Sequence, residues 1–459
     1  MIEGTLHDAA VASRGQLVGE DAAFSGVSTD TRSIAAGQLF VALKGPRFDA
    51  HNMLEAAVTA GAAGVIVMRK TRGATAQILV SDSRVALGDL ARNWRRRTSI
   101  PLIAVTGSNG KTTTKEMLAS ILRMQGPTLA TEGNLNNDIG VPLTLFRLDA
   151  THRHAVIEMG ANRPHDISVL VDIAEPTVAL VTMCGPAHLE GLGDLAGVAM
   201  AKGQIYSRLP SHGVAVINVD EPFSAQWRQT AGAARVVTFG LNTPADVTAS
   251  DIECGAIGTG TAFVMHVRGE RSAMRMPFDG QHNVRNALAA AAAAIAVGVP
   301  MSAIAAGLEG ASKVKGRLVV KRSRGGMQLI DDSYNANPAS LSAALALLER
   351  QPNARWLVFG DMGELGAGAL AAHREVGLEA RRAGVERLFG IGPQAREAVA
   401  AFGTGASWYP DALQALDELM HLDGADATVL VKGSRYMQLD RLVDGLVAAT
   451  NPQGEKPGC

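Results

Sequence analysis

The sequence predicts an α/β protein whose mostly parallel sheets are divided among about three domains. Three observations point there. Its 459 residues would fill about three domains at ~100–200 residues each. Short apolar runs alternate with longer stretches of helical spacing along the whole chain. Fifty glycines against 4% aromatic residues suit many tight strand-to-helix turns.

Composition narrows the class. Hydrophobic residues make up 47% of the chain and charged residues 19%, ample for packed cores. The 43 Lys and Arg nearly balance the 44 Asp and Glu, which gives no support for a general nucleic-acid or anionic-membrane binder and leaves only a local basic pocket open. Cys184, Cys254 and Cys459 are far apart in sequence, so neither a metal-type pair nor a disulfide framework is expected, as suits a reducing compartment. The opening MIEGTLHDAA lacks the pattern of a signal peptide. The longest apolar run, Ala287 to Val299, is too short for a ~20-residue membrane span. The expectation is a cytoplasmic protein with no stable membrane insertion and no nucleic-acid partner.

Strands are predicted first at Leu39–Leu43, Gly64–Met68 and Gln77–Val80. A polar helix carrying Arg92, Arg95, Arg96 and Arg97 follows, and Ser99-Ile100-Pro101 breaks the pattern. A buried-type strand at Leu102–Thr106 leads through a glycine loop into a helix from about Lys111 to Met124, where Met117, Leu118, Ile121 and Leu122 have helical spacing. Further strands read at Ala155–Met159, Val178–Met183 and Val214–Val219. A β-rich region spans Val236 to Met276, and an alanine-rich helix follows His282-Asn283. Ser312 to Arg317 reads as a basic linker. The last stretch alternates strands at Gln328–Asp331, Trp356–Phe359, Arg387–Ile391 and Thr428–Val431 with helices, resembling a small dinucleotide-type fold. Asn451–Cys459 reads as an unstructured tail.

The strongest local signal is Val105-Thr106-Gly107-Ser108-Asn109-Gly110-Lys111-Thr112-Thr113, which follows a strand and opens a helix. Backbone N–H groups of such a loop converge on phosphate oxygens, and the helix N-terminus adds partial positive charge. Lys111 can neutralise the β and γ phosphates, and the Thr112 hydroxyl can ligate Mg²⁺. Val105 occupies the place of the usual first glycine. The loop specifies a nucleoside triphosphate without saying what it is used for.

Thr106-Gly107-Ser108-Asn109-Gly110-Lys111-Thr112 resembles the phosphate loop of the Mur ligases, and the resemblance extends over nearly the whole chain. Glu158 to Pro164, Asp331 to Pro338, Gly360 to Gly366 and Val431 to Arg435 resemble, in order, segments of the member that adds D-alanyl-D-alanine to UDP-N-acetylmuramoyl-tripeptide. The resemblance implies an α/β, three-domain Mur ligase architecture. Residues 1–98 would bind the UDP end of the substrate. Residues 99–313 would form a central phosphate-loop, ATPase-like parallel sheet. Residues 314–459 would form a Rossmann-like domain binding the incoming dipeptide. The implied reaction is ATP-driven amide formation through an acyl phosphate, by a monomer using two Mg²⁺ ions. Another Mur ligase, or an amide ligase like folylpolyglutamate synthetase, is the alternative within this superfamily. A phosphate-loop switch that hydrolyses ATP slowly is the alternative outside it.

Candidate roles follow residue by residue. Gly107, Ser108, Asn109, Gly110, Lys111, Thr112 and Thr113 would hold the triphosphate. Glu158 ends an apolar strand, where a metal-binding acid belongs in a phosphate-loop domain. The resemblance implies that His188 helps hold a second Mg²⁺ and that Lys202 is carbamylated, making an oxygen ligand from a cation. By themselves a lone histidine and a helix lysine would read as structural and as solvated. Gln204 stands where glutamate is common among related sequences. Thr131, Asn134 and Asn137 lie in a loop, with Asn136 and Asp138, that the resemblance sets against the muramoyl-peptide. Asn283 would contact adenine. Arg317, at the hinge Lys315-Gly316-Arg317, would meet the γ-phosphate, guanidinium being matched to phosphate geometry. Asp332 would receive the ribose hydroxyls. Asn335, Asn337, Lys432, Ser434 and Arg435 are candidates for the dipeptide. Ser28, Thr31, Arg32, Lys44, Arg47, Asp49 and His51 would grip the diphosphate of the UDP end, with Ala50 replacing the usual glycine.

Overall fold

A computed structural model describes residues 1–72 and 76–447; the tail 451–459, including Cys459, lies outside the described residues. The fold is α/β, with mixed, largely parallel sheets. The first sheet runs in the order Gln16–Val18, Gln77–Leu79, Gly64–Val67, Leu39–Val41 and Val27–Ser28. A small hairpin-like pair, Glu3–Thr5 with Ala23–Ser25, lies beside it in sequence.

The nine-stranded sheet carries the phosphate loop. Its first six strands in chain order, beginning with Leu102–Thr106, lie side by side as 2-3-1-4-5-6. The order reverses around the first strand, which sits between His154–Glu158 and Val178–Val181. Ligand sites of open α/β sheets form at the carboxyl ends of strands at such a reversal. The β-rich region resolves into Arg235–Phe239 and then Val247–Cys254, Thr261–Val267 and Glu270–Met276, the last three antiparallel. The third sheet runs Val319–Arg322, Gln328–Asp332, Ala427–Lys432, Ala354–Gly360, Arg387–Ile391 and Ala406–Tyr409, with only its first pairing antiparallel.

Every strand expected from sequence has a counterpart within a residue or two at its ends. The short strands Glu3–Thr5, Gln16–Val18, Val27–Ser28, Thr128–Ala130, Val319–Arg322 and Ala406–Tyr409 were not anticipated, since two to four residues leave no readable alternation. The arginine-bearing helix, Ser83–Arg95, is less polar than expected. It buries Ala86, Leu87, Leu90 and Ala91. Arg95 is buried too, donating to Ala174 O, Thr98 O and Ile100 O. The first and central regions therefore share one apolar core, reaching from Ile2 to Ala231.

The phosphate-loop helix, Lys111–Arg123, is held on its apolar side by Gln281–Ala296 and Met301–Glu309. Residues 287–294, all alanine except Leu288, are buried. Small side chains allow that helix to lie close against its neighbours. The helix Met301–Glu309 comes closer still: a Cβ at Gly307 would stand 2.4 Å from Ile121 Cα. Among the described residues no helix is long and apolar enough to cross a membrane.

Gly307→Ala should therefore destabilise the protein. Alanine gains about 1 kcal/mol of helix propensity over glycine, but the added methyl forces the two helices apart, an overpacking cost of about 1–3 kcal/mol or more. Urea unfolding is expected to show a lower midpoint for the variant. An equal or higher midpoint would mean that the helices yield freely.

Candidate functional site

The strand Leu102–Thr106 is wholly buried, so the chain leaves it in one fixed direction. Gly107 has φ 152° and a Cβ there would lie 1.8 Å from Thr182 Oγ1. Gly110 has φ 80°, and its Cβ would lie 2.3 Å from Asn286 Oδ1. Both positions therefore demand glycine on conformation and on space. The loop is pinned to the neighbouring strand end: Ser108 N–H donates to Met183 O (2.9 Å), Ser108 Oγ to Gly185 O (2.9 Å), and Thr182 Oγ1 to Asn109 O (2.6 Å). Lys111 folds back over it, with Nζ donating to Gly107 O at 2.7 Å. Burial holds the Lys111 pKa down; Glu158 opposes that shift, and Arg317 adds to it. Thr112 and Thr113 are buried at the helix start.

Glu158 ends the adjacent strand and is buried. Its Oε1 accepts from Asn136 Nδ2 (2.8 Å), while its Oε2 is buried with no hydrogen-bond partner. Thr131 Oγ1 accepts from Glu158 N–H (2.9 Å), which makes Thr131 a brace for that strand end. Asn137 Oδ1 accepts from Ile139 and Gly140 N–H and so builds the turn, while Asn134 stands exposed.

His188, in left-handed conformation, places Nδ1 2.5 Å from Glu364 Oε2. That contact joins the central sheet's loop to the third sheet, and Glu190 N–H donates to Glu364 O (3.3 Å) beside it. Lys202 is fully buried and its Nζ has no partner. Burial, reinforced by the charge on Lys111, lowers its pKa from the ordinary 10.5 to about 7. Nearby, Gln204 Oε1 is also buried without a partner.

The third region closes the cleft from the other side. Asn109 and Asn337 exchange two amide hydrogen bonds, of 3.2 and 2.8 Å. Asn337 also caps the helix Pro338–Leu348. Arg317 Nη2 lies 3.3 Å from Thr112 Oγ1. Asp332 is buried and paired with Lys432 Nζ at 2.5 Å; burial raises its pKa, and Lys432 opposes the rise. Lys432 also donates to Asn335 O (3.0 Å). Ser434 Oγ accepts from Gly363 N–H (2.8 Å), and Arg435 pairs with Asp440 (2.9 Å).

Part of this set lines a cleft of about 1360 Å³, its open mouth included, while Thr112, Glu158, His188, Lys202 and Ser434 lie outside its lining. Ser108, Asn109, Gly110, Lys111, Thr113, Asn283, Arg317, Asp332, Asn335, Asn337 and Lys432 all contribute to it. Asn283 is fixed there by Asp279 O and Asn286 Nδ2, each at 2.9 Å. Thr182, Phe278, His282 and Asn286 line it as well and were missed in the sequence. His282 and Asn286 flank Asn283 in a quoted stretch, so helical spacing was the available signal. Glu364 lay in a noted segment, but nothing in its spacing pointed to His188.

The first region's candidates line a different edge. Val27–Ser28 and Leu39–Val41 are adjacent and parallel, so the loops leaving their carboxyl ends meet. Arg32, Lys44 and Arg47 are exposed there. Arg32 is held by Asp30 (2.6 Å), and Ser28 Oγ bonds the backbone of Asp30. Thr31 is half-buried. His51 is buried; Nδ1 meets Asp49 Oδ1 (2.6 Å) and Nε2 accepts from Met68 N–H (2.9 Å). With both nitrogens engaged, His51 braces the loop together with Asp49.

Known proteins resemble the chain closely. A profile of the Mur ligase middle domain matches residues 105–294, and one of the Mur ligase glutamate ligase domain matches residues 316–435. The UDP-N-acetylmuramoyl-tripeptide--D-alanyl-D-alanine ligase of Escherichia coli (strain K12) is 42% identical, covering 97% of this chain and 99% of its own. A crystal structure of MurF from Acinetobacter baumannii matches with a TM-score of 0.92 at 36% identity, covering 97% of this chain and 99% of that one. The MurF ligase from Thermotoga maritima, solved in complex with ADP, matches at 0.80 and 27% identity, over 92% and 96%.

The buried Lys202 has a measurable signature. Between pH about 7 and 10.5 the unfolded chain holds a proton on this amine that the folded chain lacks. Stability must therefore rise with pH through that window, and the full penalty applies below it. In CO₂-free buffer without divalent cations, Lys202→Met should be more stable than wild type by on the order of a few kcal/mol at pH 7. The difference should shrink towards pH 10.5. Denaturant titrations at several pH values would read this, and a pH-independent difference would contradict the buried neutral amine.

Proposed function

The chain belongs to the Mur ligase family, and from that premise we propose that it joins D-alanyl-D-alanine to UDP-N-acetylmuramoyl-tripeptide, converting ATP to ADP and phosphate. The observation that carries this reading is the cleft in which Lys111, from the phosphate loop, and Arg317, from the hinge, converge. Two anions, a triphosphate and a peptide carboxylate, must meet, and a pair of cations offsets their repulsion. The near full-length match to the E. coli tripeptide ligase favours this over another Mur ligase or a folylpolyglutamate synthetase-like enzyme.

The peptide carboxylate attacks the γ-phosphorus, ADP leaves, and an acyl phosphate forms. The dipeptide amine then attacks the acyl carbon, and phosphate departs. Gly107, Ser108, Asn109, Gly110, Thr112 and Thr113 cradle the phosphates, Asn283 faces adenine and Asp332 the ribose. Arg32, Lys44 and Arg47, with Ser28 and Thr31, take the UDP diphosphate. Asn134 and Asn137 border the muramoyl-peptide. Asn335, Asn337, Lys432 and Ser434 border the dipeptide. Closure of the cleft keeps the acyl phosphate from water, and holding both peptides in line supplies much of the rate.

The residues fit magnesium. Glu158 Oε2 is a buried oxygen without a partner, and Glu158 acts electrostatically on Lys111, the residue before Thr112. No three His, Cys, Asp or Glu gather into a ligand set among the described residues. Phosphate oxygens and water would therefore complete the shell, as is usual for Mg²⁺. Thr112 and Glu158 would hold one ion, His188 and a carbamylated Lys202 a second. Bound there, the metal would neutralise charge on the transferred phosphoryl group. An unpaired amine with a pKa of about 7 is suited to carbamylation, because CO₂ reacts with the neutral form.

With Mg²⁺, ATP and both peptide partners, the purified chain should release ADP only when both partners are present. It should give the pentapeptide by mass, and ¹⁸O from the tripeptide carboxylate should pass into phosphate. ATP hydrolysis indifferent to the partners would instead indicate a slow ATPase. Lys111→Ala should lower turnover by about 100-fold or more with an unfolding midpoint no lower than that of wild type; normal turnover in it would remove the phosphate role. Lys202→Ala should lose activity and regain part of it with acetate, whereas full activity without acetate would take Lys202 out of the mechanism.

A further inference from the structure

Tyr334 has no part in the reaction as proposed, yet it stands at the crossing of the hinge and the nucleotide loop. Its N–H donates to Gly316 O (3.1 Å). The Leu318 backbone N–H lies near enough to the carboxylate of Asp332, two residues before Tyr334, to oppose the rise of its pKa. Gly316 and Leu318 both have left-handed backbone, with φ 71° and 54°. A Cβ at Gly316 would lie 3.2 Å from both Cβ and N of Tyr334. The hinge is thus wrapped tightly against this loop, with Arg317 at the apex.

The Arg317 guanidinium carbon sits 4.4 Å from the centre of the Tyr334 ring. Its Nη2 reaches Thr112 Oγ1, and its Nε is buried with no hydrogen-bond partner. Among the described residues no carboxylate forms an ion pair with Arg317; Asp332, within its electrostatic reach, is paired with Lys432 instead. A second guanidinium, that of Arg435, lies farther from the same ring, at 5.7 Å, and is paired with Asp440. The physical distinction matters. A carboxylate would orient Arg317 and cancel its charge, whereas an aromatic face attracts a cation through its quadrupole and leaves the charge for an incoming anion.

We infer that Tyr334 is a positioning residue: its ring holds the Arg317 guanidinium over the phosphate loop without neutralising it, and so sets the preference for a nucleoside triphosphate over a diphosphate. The inference rests on the reading of the cleft as a nucleotide site, but its test does not require ligation.

Calorimetric affinities of the full chain for a non-hydrolysable ATP analogue and for ADP give the ratio to follow. Tyr334→Leu should lower the triphosphate-to-diphosphate ratio about fivefold to tenfold, and Tyr334→Phe, which keeps the ring, should stay within about twofold of wild type. Arg317→Ala should lower the ratio at least as far as Tyr334→Leu, and adding Tyr334→Leu to Arg317→Ala should lower it no further. An unchanged ratio in Tyr334→Leu, or additive losses in the double variant, would overturn the inference. Tyr334→Met is a second ring-free variant; failure of both ring-free variants to fold would also overturn it, by making the ring structural. A wild-type chain that shows this pattern but never joins the two peptides would spare Tyr334 and remove the ligase reading. Ligation with an unaltered ratio would do the reverse.

Discussion

A shortage of negative charge around Lys111 organises this molecule. Lys111 is half-buried, Lys202 lies within its electrostatic reach, and Arg317 comes in from the hinge. Against these three cations stand Glu158, with one oxygen left unpaired, and the more distant Glu364. Buried cations without partners are costly, and a protein commonly answers the cost by giving up a proton. Lys202 does so, with a pKa near neutrality. Lys111 is pulled the same way, and its bond to Gly107 O and the fields of Glu158 and Glu364 oppose this. A triphosphate entering the cleft would relieve the whole cluster at once.

The scaffold keeps the cluster from relaxing on its own. Two glycines with no room for a side chain hold the phosphate loop between Thr182 and Asn286. The helix that follows is clamped by an alanine-rich helix and by a glycine contact at Ile121. The acid arrives at the end of the neighbouring parallel strand, in register with Val105. Each element is rigid because it is buried, so the charges cannot drift apart to find water.

Much of this was legible in the sequence where local pattern and chemistry coincide. Buried parallel strands read as apolar runs, and Gly107 to Thr113 announced itself by spacing between a strand and a helix. The family resemblance supplied the order of the later segments. Other features depend on partners far along the chain and leave no local trace. Lys202 reads as a solvated helix lysine until the fold buries it. His51 reads only as a substrate contact, and the fold adds a bracing role, its second nitrogen accepting from Met68 N–H just past the next strand. Asn337 reads as a helix cap, which it is, but its amide also meets Asn109 more than two hundred residues earlier. Arg95 looked like one arginine of a polar face, and three carbonyls that end or follow helices draw it inside.

The contacts that close the cleft are of a telling kind. Asn109 with Asn337, and Arg317 with Thr112, are hydrogen bonds in which at least one partner is neutral. The His188–Glu364 contact is the one that can carry opposite charges, and Glu364 is half-exposed. A neutral hydrogen bond adds only about 0.5–1.5 kcal/mol net, and an exposed ion pair adds about as little. Each of these polar contacts therefore holds the third region against the phosphate loop only weakly, and Ile257 of the central region, buried in the third region's core, adds apolar packing between the two. A ligand can shift a two-state equilibrium only by its differential affinity for the two states. Phosphate groups bound between Lys111 and Arg317 would add differential affinity for the closed cleft. The same uncompensated charge that makes the site costly to fold would thereby couple its closure to an anionic ligand.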